Sequence, residues 1–189
     1  MPLKLKVFFA ILICVLSASS LAFAQETFSK FGITMQIPKG WLIDRSSPEA
    51  QSLPSISSIY DMTSPLITFT TDTKISATLG MISLSAAKIA NGNITPRDYA
   101  GHRHLFYAAA GKVTPIEDVI ISDLKGVRFD VTLEFPAASV KVTERHYFFI
   151  KNNLFVQVCL KADPEYFDKY GPVAEEVVSN LKIDNSNSK

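Results

Sequence analysis

The sequence predicts an α+β domain built on an antiparallel sheet with helices on both faces, and three stretches carry that expectation. Lys151-Asn152-Asn153-Leu154 sets two Asn residues, which tolerate positive φ, between apolar β-branched and aromatic runs, as a tight hairpin requires. Val127, Phe129, Val131, Leu133 and Phe135 alternate with Arg128, Asp130, Thr132 and Glu134, the period-two pattern of a strand. Beyond Asp163-Pro164, Tyr166, Tyr170, Val173, Val177 and Leu181 recur at helical spacing, with Phe167, Ala174 and Val178 alongside.

The hairpin fixes a register. With Asn152 and Asn153 as the loop, Lys151 faces Leu154, Phe149 faces Val156, Tyr147 faces Val158 and His146 faces Cys159. Tyr147, Phe149, Val156, Val158 and Leu160 then share one face, and His146, Phe148, Ile150, Phe155 and Cys159 the other. Both faces are strongly apolar, so both need cover, which makes the expected architecture an α/β/α sandwich. The closing helix covers one face. Asp163 is its N-cap and Pro164 its first residue, where a missing N–H costs nothing. Gly171-Pro172 is expected to kink or briefly break it, because Pro172 cannot donate to the carbonyl of Asp168.

A second register follows Gly126 to Phe135. If Pro136 to Ser139 is the loop, Phe135 faces Val140, Glu134 faces Lys141, Thr132 faces Thr143, and Asp130 faces Arg145. Two opposite-charge pairs and a Thr pair agree with this pairing.

Residues 1–24 read as a secretory signal peptide: Lys4 and Lys6, an apolar segment from Val7 to Leu16, and the small-x-small site Ala22-Phe23-Ala24. An uncleaved N-terminal anchor is the competing reading. The apolar run is short for a membrane span, and no later segment approaches the roughly 20 apolar residues a span needs. The expectation is an exported protein beginning near Gln25, periplasmic or extracellular, with no integral membrane segment after cleavage. Loss of Lys4 and Lys6 reduces 19 basic side chains to 17 against 18 acidic ones, a net charge of minus one. So balanced a surface argues against nucleic acid or anionic membrane as a partner. Of two cysteines only Cys159 remains, so an intramolecular disulfide is excluded. About 165 residues make one domain, expected over residues 25–183, with a polar tail at 184–189 that has nothing to bury and is expected to be disordered.

Elsewhere the chain is read element by element. Ile33, Met35 and Ile37 alternate with Thr34 and Gln36 as a short strand, ended by Pro38 and Gly40, and Trp41 is expected to anchor the turn to the core. Arg45 to Ser58, rich in Ser and Pro, reads as a long loop. Ile59 to Asp61, Leu66 to Thr71 and Ala77 to Ser85 read as strands, with Gly80 marking a bulge or a close approach. After a turn at Asn91-Gly92-Asn93, Thr95 caps a helix that runs to about Ala110, with Tyr99, Leu105, Phe106 and Ala109 as its buried stripe.

A strand entered by Phe31-Gly32 and left through Ile37-Pro-Lys-Gly-Trp41, a late strand pair, and a final helix that starts at Asp163-Pro164 and ends in Ser179-Asn-Leu-Lys-Ile183 together resemble the Mog1/PsbP-like proteins. The resemblance covers both ends of the mature chain and, in the middle, only the order of elements. It implies an antiparallel sheet between helices and a non-enzymatic module that acts through a protein partner. It transfers no binding residues, since no site motif of the family stands in this sequence.

The residues themselves offer three candidate sites. His146 opposite Cys159, with Glu144 on the same face, is the nearest approach to a catalytic constellation, either a thiol nucleophile with its base or two ligands of a soft metal. The plainer alternative is a small buried Cys beside a polar residue. His102-Arg103-His104 places two imidazoles two residues apart on a helix, where they diverge, so they do not share a metal. Arg128, Asp130, Thr132, Glu134, Lys141, Thr143 and Arg145 form a polar strip, either a docking surface for a protein or a solvated sheet face. No recognisable signature for a metal, a cofactor or a catalytic carboxylate pair is present. The expectation is therefore a binding or assembly module. A small exported hydrolase or thiol enzyme, or a small-ligand or metal carrier, is the alternative.

Overall fold

The computed structural model describes residues 26–45, 50–71, 80–90 and 93–184. The expected signal peptide, the Asn91-Gly92 part of one turn, residues 77–79 of one strand and the tail beyond Asp184 lie outside the described residues.

The chain begins with β1 (Thr27–Lys30) and β2 (Ile33–Gln36), then β3 (Leu42–Ile43), β4 (Ser55–Ile56), β5 (Pro65–Thr70) and β6 (Met81–Ile89). Helix α1 (Pro96–Ala108) separates these from β7 (Gly111–Val113), β8 (Glu117–Ile121), β9 (Leu124–Phe135), β10 (Val140–Lys151) and β11 (Leu154–Ala162). Helix α2 (Pro164–Ser179) and β12 (Lys182–Ile183) close the chain. The protein is thus α+β with a mostly antiparallel sheet and two helices among the described residues.

The main sheet runs β3-β5-β6-β11-β10-β9-β7, with β4 added parallel to β6 and β8 antiparallel to β9. A second sheet, β1-β2-β12, was not expected from the sequence. It joins the two ends of the described chain, with Ile183 opposite Ile33.

Both predicted registers hold. His146 is opposite Cys159 and Tyr147 opposite Val158. Asp130 is opposite Arg145, Thr132 opposite Thr143, and Glu134 opposite Lys141. Asn152 and Asn153 both adopt positive φ, 53° and 58°, as the two-residue turn demands. The 136–139 connection is a single 3-10 turn, Pro136–Ala138, followed by Ser139 at φ 51°.

Two hydrophobic clusters follow from the alternation along β10. Tyr147 and Phe149 lie in one with Val156, Val158 and Leu160 and with Phe167, Tyr170, Ala174, Val177 and Val178 of α2. Phe148 and Phe155 lie in the other with Phe129, Val131 and with Tyr99 and Ala100 of α1. Each fully buried large side chain contributes about 1.5–3 kcal/mol, so these clusters carry the stability of a chain that has no disulfide among its described residues. Trp41 is buried and meets Tyr170 edge-on, centroids 5.5 Å apart, so it anchors its turn as expected. Gly80, at φ +136°, is a close approach: a Cβ there would stand 2.8 Å from two carbons of the Tyr170 ring.

Three expectations fail. Ile59 to Asp61 is a turn, because the Asp61 carboxylate accepts from the N–H groups of Ser57 and Ser58 and closes the chain on itself. Helix α2 does not break at Gly171-Pro172 but runs through it. In α1 the buried residues are Tyr99, Ala100 and Arg103, while Leu105 and Phe106 are exposed. The helix is rotated relative to the predicted stripe because Arg103 is drawn inward to the carbonyl of Asp61, at 3.2 Å, and the hydroxyl of Tyr99, at 2.9 Å.

Candidate functional site

Strand β10 is an interior strand between β9 and β11, and polar side chains interrupt its apolar pattern on both faces. Odd-numbered Arg145 and even-numbered Glu144 and His146 point to opposite sides by the period of the strand.

On the α1 side, Glu144 and His146 are two residues apart on β10, and Cys159 is directly across from His146 on β11. One ligand-type atom from each of the three lies within 4.8 Å of the other two. His146 is only 2 % exposed and its ring lies against Tyr107, Phe129 and Phe148 at centroid distances of 5.0, 5.2 and 6.0 Å. The Gln157 amide donates to Nδ1 at 3.1 Å, which leaves the ring proton on Nε2 to be donated to Glu144 Oε2, also at 3.1 Å. The second oxygen of Glu144 faces Lys161 Nζ at 3.5 Å.

The electrostatics follow from that geometry. Burial pushes the Glu144 carboxyl up, but the hydrogen bond from His146 and the Lys161 ammonium outweigh it, and Glu144 ends below the ordinary carboxylate value. Burial raises the Cys159 thiol well above its ordinary value, and the Glu144 charge adds to the rise. Burial likewise raises the phenol of Tyr107, with Glu144 and Cys159 both disfavouring its ionised form. Cys159 is thus held as a neutral thiol and Glu144 as a carboxylate. Nucleophilic thiol chemistry needs the reverse, a lowered thiol with a free imidazole nitrogen beside it.

On the α2 side the polar strip is a chain of internal pairs. Arg145 forks onto Asp130, Nε to Oδ1 and Nη2 to Oδ2, both at 2.9 Å, in side chains only 18 % and 23 % exposed. This bidentate bond is the largest of the influences that hold the Arg145 guanidinium protonated. Nη1 of Arg145 reaches Glu175 of α2 at 3.3 Å, and the guanidinium carbon lies 5.2 Å from the centroid of the Phe167 ring. Arg128 bonds Glu117 at 3.0 Å and Glu175 at 3.4 Å. Thr132 and Thr143 share a 3.2 Å hydroxyl contact, and the exposed Glu134 and Lys141 pair at 2.9 Å. The strip therefore has an inner end under α2, where Arg145, Phe167, Gly171 and Glu175 border a crevice of about 100 Å³, and an open end at Glu134 and Lys141. A crevice of that size is well below the ~300–1,000 Å³ of a small-molecule site.

His102 and His104 do diverge. His102 meets the ring of Tyr60 at 4.7 Å, and His104 Nε2 contacts the Thr114 carbonyl at 2.9 Å. Arg103 between them is buried. Sequence reasoning also missed Gln157 and Lys161, although the register places both on the face of Cys159, and it missed Tyr107. It did not find the exposed apolar group Tyr60, Met62, Leu105 and Phe106, because it counted the last two as core.

This architecture, a mostly antiparallel sheet with one mid-chain and one C-terminal helix, is the Mog1/PsbP-like fold. Among solved structures the chain is similar to the cyanobacterial PsbP protein CyanoP of Synechocystis, with 12% identity over 87% of this chain and 96% of that one and a TM-score of 0.56. It is similar to LpqN of Mycobacterium tuberculosis, a protein involved in cell envelope biogenesis, with 11% identity over 84% and 90% of the two chains and a TM-score of 0.54. A Bacteroides thetaiotaomicron protein is 15% identical over 87% of this chain at a TM-score of 0.55, and this chain spans 50% of its length. No family profile matches the sequence, and no curated protein matches it. At these identities the likeness establishes the fold.

Proposed function

We propose that this chain is an exported, non-enzymatic binding module in which an α/β/α sandwich presents the polar strip of β9 and β10 to a protein partner. The observation that carries the non-enzymatic reading is the engagement of both ring nitrogens of His146, one by Gln157 and one by Glu144. The one constellation among the described residues with the composition of a thiol enzyme thus lacks a free base. The sandwich reading is supported by the two core clusters, one taking α1 and the other α2 on alternate residues of β10. Export is supported by the pattern of residues 1–24 and, by analogy of fold, by the role of LpqN in the cell envelope.

The docking surface is the strip Arg128, Asp130, Thr132, Glu134, Lys141 and Arg145. Its inner pairs act as scaffold, since Arg145 donates to both Asp130 and Glu175. Its open end, Glu134 with Lys141, exchanges partners at little cost because exposed ion pairs contribute only about 0–1 kcal/mol. The test is affinity capture of a partner from the source's envelope or medium, using the wild type and the double variant Glu134→Lys/Lys141→Glu as baits. The swap keeps the internal pair but reverses the charges a partner meets. Capture of a stoichiometric protein by the wild type and its loss with the swap, at an unchanged melting temperature, support the reading. Equal capture by both removes the strip from it.

A further inference from the structure

The geometry points to a binding site for a zinc-class divalent cation at Glu144, His146 and Cys159. The three side chains come from adjacent strands of one sheet face and bring a carboxylate oxygen, an imidazole nitrogen and a sulfur within 4.8 Å of one another. One thiolate, one imidazole and one carboxylate suit a borderline-soft ion such as Zn²⁺, and a single carboxylate excludes the all-oxygen shell that Ca²⁺ or Mg²⁺ takes.

Two features separate this cluster from a chance grouping. The first is spacing. Nε2 of His146 and Oε2 of Glu144 stand 3.1 Å apart. Metal–ligand bonds of about 2.0–2.2 Å at a tetrahedral centre put neighbouring N and O ligands roughly 3.3 Å apart, so these two already stand near the required spacing, and Cys159 Sγ, within 4.8 Å of both, has to close in on them. The second is support. The groups that orient metal ligands are already in place on the outer atoms of these two: Gln157 holds Nδ1 of His146, and Lys161 faces Oε1 of Glu144, leaving Nε2 and Oε2 turned inward. With the Gln157 amide turned so that its oxygen accepts from Nδ1–H, Nε2 presents a lone pair to the ion. Glu144 keeps a carboxylate with only 10 % of its side chain exposed beside Val131 and Phe129, held there by His146 and Lys161.

Binding exchanges protons at two of the ligands, while Lys161 stays beside the outer oxygen of Glu144. The Cys159 thiol gives up one proton to solvent, the His146 proton moves from Nε2 to Nδ1, and thiolate plus carboxylate neutralise the 2+ ion. Three protein ligands leave a fourth position to water. The ion would tie β10 to β11 and stiffen the sheet under α1. This role is independent of the docking strip on the opposite face.

Cobalt(II) is the probe. The protein, purified as its host processes it and stripped with a chelator, is titrated with Co²⁺ and then with Zn²⁺. The inference expects a thiolate-to-cobalt charge-transfer band that saturates at one ion per chain and is displaced by Zn²⁺, with a rise in melting temperature on adding Zn²⁺. Cys159→Ser abolishes the band, and Gln157→Leu, which leaves all three ligands, weakens binding roughly 10–100-fold. Co²⁺ that binds without a thiolate band, or a Cys159→Ser protein with the same stoichiometry and melting shift, overturns it. The wild-type spectrum decides the question even if a variant fails to fold.

Discussion

The side-chain amide of Gln157 sits 3.1 Å from Nδ1 of His146 and fixes which way the imidazole faces. The proton is thereby directed to Glu144, away from Cys159, and the thiol keeps its own proton. In the metal-free protein, Cys159 is accordingly expected to react slowly with a thiol reagent near neutral pH. Burial is the larger cause of its raised value and the Glu144 charge the second. Glu144→Gln removes the second cause, lowers the thiol's value and speeds alkylation severalfold at a fixed alkaline pH. Rapid labelling of the wild type at neutral pH would instead restore the thiol-enzyme reading.

The two ends of the polar strip are expected to differ in energy. Arg145 and Asp130 form two charge-assisted bonds in side chains about four-fifths buried, so Arg145→Met costs about 2–3 kcal/mol. Lys141 and Glu134 are half exposed, and Lys141→Met costs less than about 1 kcal/mol. Urea unfolding of the two variants measures the difference. Equal costs would mean that the inner pair is not the scaffold described.

Acid is expected to loosen the turn at Ser57–Asp61. The N–H groups of Ser57 and Ser58 hold the Asp61 carboxyl below its ordinary value of 3.8. A carboxylate lowered on folding contributes stability at pH values above its unfolded value, and that contribution disappears as pH falls through the lower, folded value. A nuclear magnetic resonance titration of Asp61 should give a midpoint below 3.8. A midpoint at or above the unfolded value would show that the bonds to Ser57 and Ser58 do not persist in solution.

Phe106 offers a test of the helix phase. Were it core, Phe106→Ser would cost about 3–5 kcal/mol. Exposed as it is, the same change is expected to alter stability by less than about 0.5 kcal/mol. Tyr107→Ser, next along the helix and packed against the His146 ring, is expected to cost more.

The legible parts of the fold were those in which one local rule determines many contacts. Two Asn residues in a turn set all of the β10–β11 pairing, and charge and Thr complementarity set that of β9 with β10. The juxtaposition of His146 with Cys159, and its neighbour Glu144, came directly from that register. The two-residue strands Leu42–Ile43, Ser55–Ile56 and Lys182–Ile183 could not be read this way, because their pairing is made by distant chain and leaves no period in so short a segment. The phase of α1 was misread for a related reason. Leu105 and Phe106 look like core by type, but the helix is turned by Arg103, whose partners at Asp61 and Tyr99 are fixed only in three dimensions.

The most direct measurement of the binding-module account is site-specific photo-cross-linking in the source cell, with a photoreactive residue placed at Lys141 and, as a control, at Lys182 on the separate small sheet. The account predicts one discrete protein adduct from position 141 and none of that mass from position 182. The same adducts from both positions, or no adduct from position 141 in a folded, exported protein, would contradict it.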